Sequence, residues 1–133
     1  MSKDSIYTGN KYTDMILNYK VELMKTLGAN VNLNLRIPKG IRVDSYDITC
    51  LLGNLLDNII NAINEQMSRN VSIDLFYNKG LLVVDTQNEC IIKNVEEDIG
   101  IENIRKVADK YNGEFEYWID DNKFYTKTML YLE

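Results

Sequence analysis

Residues Leu51–Asn64 read Leu-Leu-Gly-Asn-Leu-Leu-Asp-Asn-Ile-Ile-Asn-Ala-Ile-Asn, and their periodicity decides the architecture. At about 100° per residue Asn54, Asp57, Asn58, Asn61 and Asn64 share one arc of a helix, and Leu52, Leu55, Leu56, Ile59, Ile60 and Ile63 share the opposite one. One face is core and the other is carboxamide. Asparagine competes with the helix for backbone hydrogen bonds, at roughly 0.5 kcal/mol per residue relative to Ala, so this face opposes the helix by roughly 2 kcal/mol. Lys, Glu or Gln would solvate a helix with less penalty. The Asn face therefore reads as lining something that needs short neutral oxygens, such as a hydrated Mg²⁺ ion carrying a nucleotide's phosphates. The rival reading is a solvated face in an Asn-rich chain.

Working outward, Tyr12, Ile16, Tyr19, Leu23 and Leu27 recur at helical spacing between residues 10 and 28 and stop at Gly28. Val31, Leu33, Leu35 and Ile37 then alternate with polar residues up to Pro38, which marks a half-buried strand. Asp44 or Ser45 can cap the Asn helix, which is expected to run to about Met67. Val71, Ile73, Leu75 and Tyr77 alternate again, Asn78-Lys79-Gly80 makes a tight turn, and Leu81–Asp85 follows as an apolar strand, so this pair is an expected antiparallel hairpin. A polar loop from Thr86 to Asp98 leads to a helix carrying Ile101, Ile104 and Tyr111, closed by Asn112-Gly113. Glu114–Ile119 and Phe124–Leu132 finish as a second hairpin. The order α β α β β α β β predicts an α/β two-layer sandwich, in which a mixed, mostly antiparallel five-stranded sheet is covered on one face by three helices. Trp118 is expected in the core or an interface, and the nine tyrosines in half-buried positions.

Composition narrows the chemistry. With 133 residues, 45% hydrophobic and 26% charged, the chain is expected to form one domain over residues 1–133. It shows no signal-peptide pattern or membrane-span run, and Cys50 and Cys90 look unpaired, so a reducing cytoplasmic setting is expected. A net charge of −5 with scattered lysines argues against a nucleic-acid partner. Direct membrane contact by this domain is not expected either. The chain has no histidine. It therefore contains no Ser-His or Cys-His nucleophile, no imidazole metal ligand and no histidine phosphoacceptor.

Three segments carry a resemblance: Asn54-Leu-Leu-Asp-Asn58, Val83-Val84-Asp85-Thr86-Gln87-Asn88, and Ile99-Gly100-Ile101-Glu102-Asn103-Ile104. In this order they resemble the Bergerat-fold ATP-binding domain of sensor histidine kinases, gyrase-type ATPases and anti-sigma-factor kinases. Thr8-Gly9-Asn10, Asp14, Ile16-Leu17-Asn18, Lys20 and Lys110-Tyr111-Asn112-Gly113 are similar to quorum-sensing kinases of the accessory gene regulator type. The resemblance implies that Asn58 holds Mg²⁺ on the phosphates of ATP and that Asn54 orients water or the phosphoryl group as the catalytic position. It further implies that Asn88 stands at the adenine-reading position, and that Asn61, Lys93, Gly100, Ile101 and Asn103 complete the nucleotide site. The helix start at Gly100 has its own physical basis, because unpaired N-terminal N–H groups attract anions. Asp98 takes the place of the turn's first glycine and is expected to cap that helix itself. Ile59, usually alanine in the family, is expected on the buried arc. The segment Glu89–Asp98 is a short lid without glycine, and Ile91, Ile92 and Val95 are expected to pack it down on the body.

The implied function is the ATP-binding domain of a two-component sensor histidine kinase. It would supply the γ-phosphoryl group to a histidine on separate dimerisation helices, with a response regulator downstream and the intact protein attached to a bacterial inner-membrane sensor. Two alternatives stay open: a degenerate Bergerat module that signals as a scaffold without nucleotide, and a stand-alone anti-sigma-type serine kinase. The Thr8-Gly9-Asn10 segment, which in sensor kinases follows the phosphoacceptor helices, argues against the second.

Overall fold

A computed structural model describes residues 5–65, 68–91 and 95–132. Its elements are α1 (Lys11–Thr26), β1 (Asn30–Arg36), α2 (Ser45–Asn64), β2 (Asn70–Asn78), β3 (Leu81–Glu89), α3 (Ile99–Lys110), β4 (Glu114–Asp120) and β5 (Lys123–Tyr131). The strands form one mixed sheet in the order β1-β2-β3-β5-β4, in which only β1 and β2 run parallel. Parallel neighbours need a crossover, and α2 supplies it between β1 and β2. A second crossover, α3, carries the chain from β3 over β5 to the edge strand β4. Both crossovers land on the same face of the sheet and lie side by side.

The core fills the space between that face and the helices. Leu51, Leu52, Leu55, Leu56, Ile59, Ile60 and Ile63 of α2 are buried with Ile73, Leu75, Leu82 and Val84 of the sheet and Leu17, Val21 and Met24 of α1. The predicted apolar arc is thus the buried one, and Ile59 lies on it. The expected two-layer sandwich with three helices on one face is the observed fold.

Local chemistry explains the element ends. The Asn10 side chain accepts from the Thr13 N–H and starts α1. Gly28, with φ at +97°, ends it in a left-handed turn that ordinary residues avoid. Asp44, one of the two expected caps, accepts from the N–H groups of Tyr46 and Asp47 and starts α2. At the end of α3 the Gly113 N–H bonds the Ala108 carbonyl at 2.8 Å and the Asn112 N–H bonds the Asp109 carbonyl at 3.1 Å. That is a Schellman termination with Asn112 in the left-handed position. Both hairpins turn on two residues of positive φ, Lys79-Gly80 and Asp121-Asn122, the type that matches strand twist.

Four expectations need correction. The strand β3 continues through Glu89, because Thr86 and Asn88 keep the inward alternation of Leu82 and Val84 and the strand is paired on both sides. The α2 helix ends at Asn64, short of Met67, which lies outside the described residues. Trp118 is not in the core: it faces outward on the uncovered side of the sheet, 40% exposed and stacked on Tyr125 at 5.3 Å. Tyr7, Tyr12, Tyr19, Tyr46 and Tyr131 are exposed rather than half-buried.

The polar residues of Thr8–Lys20 make packing contacts. Asp14 Oδ1 accepts from the Thr8 backbone N–H at 2.8 Å and from its hydroxyl at 2.6 Å. Asn18 brackets the Ile6 peptide, accepting from its N–H and donating to its carbonyl. Lys20 Nζ reaches Asp57 of α2 at 2.7 Å. These residues pin the entering chain to α1, and α1 to α2.

Candidate functional site

A cavity of about 210 Å³ opens where α2, the end of β3, the segment before α3, and the β4–β5 pair converge. Asn58 and Asn61 enter from the carboxamide arc of α2, with Ala62 and Glu65 beside them. Asn88, the last inward residue of β3, forms another wall; it is 3% exposed. Ile101 of α3 and the cross-strand pair Ile119 and Phe124 add apolar surface. Cys90, Val95, Glu96 and Asp98 complete the lining.

The Asn88 side chain is the most telling polar group. Its Nδ2 donates to the Glu89 carbonyl at 3.1 Å, whereas its buried Oδ1 has no hydrogen-bond partner. A buried acceptor left unsatisfied is unfavourable by about 1–3 kcal/mol, and Asn88 shares that condition with Thr13, Ser68 and Thr128.

Asn54 lies one turn from Asn58 and is not part of the cavity wall. Its Nδ2 donates to the Cys50 carbonyl at 2.7 Å, which orients the amide. A Cβ placed on Gly100 would sit 3.2 Å from Asn54 Oδ1 and 3.3 Å from Asp98 Oδ1, so two oxygens converge over the start of α3. Glycine spares the two oxygens a contact tighter than Cβ atoms usually make. Asp98 caps the helix as expected: its Oδ1 accepts from the Ile101 N–H at 3.1 Å. The N–H groups of Ile99 and Gly100 have no side-chain acceptor among the described residues.

The segment entering α3 is clamped. Glu97 Oε2 accepts from Arg105 Nη2 at 2.9 Å and from the Tyr117 hydroxyl at 2.7 Å, and these bonds hold its carboxyl below the usual carboxylate range. Arg105 also lies over the Phe115 ring. The far end of α3 is tied to α2, where Asp47 Oδ2 accepts from the Tyr111 hydroxyl at 2.7 Å and pairs with Lys110 at 2.8 Å. The Tyr111 oxygen in turn accepts from the Asp44 N–H at 3.0 Å. Burial alone would raise the Asp47 pKa, and the bonds from Lys110 and Tyr111 outweigh it, leaving it lowered.

Of the positions expected from sequence, Asn58, Asn61, Asn88 and Ile101 line one cavity, with Asn54 and Gly100 adjoining it. Asn103 stands half-buried on α3 and is not part of the wall. Lys93 and Ile92 lie outside the described residues. Ile91, expected to pack down, is 67% exposed, whereas Val95 does face the cavity. Sequence reading missed Ala62, Glu65, Cys90, Glu96, Ile119 and Phe124 as wall residues. Ala62 and Glu65 were within reach, being four residues beyond Asn58 and Asn61 on the same arc. Phe124 stands opposite Asn88 only because of the β3–β5 register, which no local pattern reveals.

The family profile described as "GHKL domain" matches residues 43–131, from the loop before α2 to the last strand. The chain belongs to the GHKL domain family. No curated protein matches it. Among solved structures, this GHKL domain is similar to the nucleotide-free catalytic domain of the histidine kinase ThkA, with a TM-score of 0.70 and 15% identity over 95% of this chain and 94% of that one. It is also similar to the Acinetobacter baumannii histidine kinase AdeS, with a TM-score of 0.67 and 14% identity over 92% of this chain and 64% of that one. The histidine kinase domain of the Erythrobacter litoralis EL346 blue-light activated kinase gives a TM-score of 0.65 and 12% identity, over 99% of this chain and 65% of that one. At these identities the likeness establishes the fold. The GHKL domain thus spans about two thirds of the AdeS and EL346 chains. No helix among its described residues is long and apolar enough to cross a membrane.

Proposed function

We propose that this GHKL domain binds ATP with Mg²⁺ and serves as the catalytic domain of a two-component sensor histidine kinase. The observation that carries the reading is the gathering of Asn58, Asn61 and Asn88 around one cavity sized for a base. Asn88 would accept from an exocyclic amine of adenine. Ile101, Ile119 and Phe124 offer apolar surface for a flat ring, and the N–H groups at the start of α3 would meet the phosphates.

The residues present fit the metal as well as the base. Asn58 would hold Mg²⁺ through its carboxamide, and Asn54, fixed by the Cys50 carbonyl, would orient the phosphoryl group. Bound Mg²⁺ supplies neutralisation of phosphate charge. Lys93 and Asn103 belong to this reading as further nucleotide contacts. The resemblance to sensor kinases implies a phosphoacceptor histidine on separate dimerisation helices, this chain having none, with a response regulator downstream. The protein's part is positioning and charge stabilisation. The likeness of Thr8-Gly9-Asn10 and Asn18 to quorum-sensing kinases supports the accessory gene regulator type, and a kinase of that type would be a cytoplasmic domain attached to a membrane sensor.

One observation favours a second reading, a scaffold without nucleotide: Asp98 already occupies the Ile101 N–H that a phosphate would use. Repulsion between unit charges at 4 Å is about 1 kcal/mol in water and about 4 kcal/mol at an effective dielectric of 20. A micromolar affinity amounts to only about 8 kcal/mol. Calorimetric titration with a non-hydrolysable ATP analogue decides between the two. Saturation that requires Mg²⁺ and weakens at least tenfold in Asn58→Ala is the expected result. No binding at millimolar nucleotide with Mg²⁺ present would leave the scaffold.

A further inference from the structure

The uncovered side of the sheet holds a second recess, of about 240 Å³. Two adjoining rows of cross-strand neighbours build it. One row runs Asp74, Asp85, Lys127 and the other Gln87, Tyr125, Trp118. Val84 and Thr86 point toward the helices, so Asp85 and Gln87, which alternate with them on β3, point outward. The first row is short of positive charge. Asp74 and Asp85 are half-buried and directly opposite one another, an arrangement that repels across a strand pair. Lys127 Nζ stands 3.4 Å from Asp85 Oδ1 and 3.5 Å from its Oδ2, and no ion pair reaches Asp74 among the described residues. Two carboxylates thus share one amine, which itself lies opposite Glu116 of β4. The second row supplies an aromatic face, because Trp118 and Tyr125 are stacked with only 6° between their ring planes and Trp118 is open to solvent.

Carboxylates short of a counter-charge beside an open aromatic face suit a flat cation. A guanidinium is planar, stacks on aromatic rings and carries five N–H donors, so it can lie against the ring pair with its edge toward the carboxylates. An ammonium is a strongly hydrated point charge that exploits the rings less well. We propose that this recess binds an arginine side chain presented by a partner protein. A free amino acid suits it less, because the α-carboxylate would meet Asp74, Asp85 and Glu116, whereas an arginine within a chain carries no such charge. The inference is independent of nucleotide binding, since the recess and the cavity beside α2 lie on opposite sides of the sheet.

The test is an NMR titration of the full chain with N-acetyl-arginine N-methylamide, in which the main chain is blocked as in a protein, beside its lysine and citrulline counterparts and free arginine. Saturable shifts at the amides of Asp85, Gln87 and Tyr125 are expected with the blocked arginine, at least about fivefold weaker binding with the lysine form, and none with citrulline, which keeps the shape without the charge. Asp74→Asn removes one of two repelling charges, so it is expected to melt no lower than the natural chain while weakening the blocked arginine at least about threefold. Trp118→Leu, at an exposed position, is expected to weaken it by about threefold through loss of the ring face. No saturable binding of the blocked arginine at millimolar concentration would overturn the proposal. Equal binding of the lysine or citrulline form, or unchanged affinity in both variants, would overturn it too. Free arginine binding tighter than the blocked form would assign the recess to a small molecule and remove the protein partner.

Discussion

Two side chains show how closely folding and chemistry are joined here. Asp98 both starts α3 and faces the cavity, so its substitutions should separate stability from affinity. Asp98→Ala should lower stability by about 1 kcal/mol through loss of the cap, whereas Asp98→Asn should stay within a few tenths, as read by thermal melting. Tyr111 joins the start of α2 to the end of α3, and Tyr111→Phe should lower stability by about 1–3 kcal/mol, because buried Asp47 loses a donor. The pH dependence follows from the directions of the shifts. The lowered carboxyl of Asp47 contributes stability present above its ordinary value near 3.8 and lost as pH falls through its folded value. Burial, and then the bond to Asp47, raises the Tyr111 phenol above 10.0, so its contribution is present below that pH and lost as pH rises through the folded value. Denaturation followed from pH 2 to 11 should therefore show both losses in the natural chain and a shallower alkaline loss in Tyr111→Phe.

The ends of the helices and strands carry a separate lesson. Gly113, just before β4, lies so close to β5 that an added Cβ would lie 1.7 Å from the Met129 carbonyl oxygen. Gly113→Ala must shift one strand, and a loss of at least about 2 kcal/mol in denaturant unfolding is expected. The Asn112-Gly113 pair was legible as a helix stop, yet the roles divide differently from the usual pattern: asparagine takes the left-handed turn and glycine permits the close approach. The carboxamide arc of α2 was legible in full, since helical period alone sorts Asn58 and Asn61 from Ile59 and Ile60. The end of β3 was not, because Thr86, Gln87 and Asn88 are polar and look like loop until neighbours on both sides supply their hydrogen bonds. The strand side of the cavity wall was hidden for the same reason. Ile119 and Phe124 arrive by strand order and register, long-range properties that local spacing does not encode.

Taken whole, the molecule is a sheet with two unlike sides. Helices, core and cavity share one face, and the other face bears Trp118 and Tyr125 with no element over them among the described residues. Neighbouring residues of a strand point in opposite directions, so Trp118 and Ile119, one peptide apart, belong to different environments. Trp118 is the only tryptophan in the chain. Its emission should consequently be a reporter that is blind to the cavity: saturating the cavity with a non-fluorescent ligand should leave wavelength and intensity unchanged. A change in that emission would mean that the outer surface has been touched, which gives the protein a built-in optical channel for events on its far side.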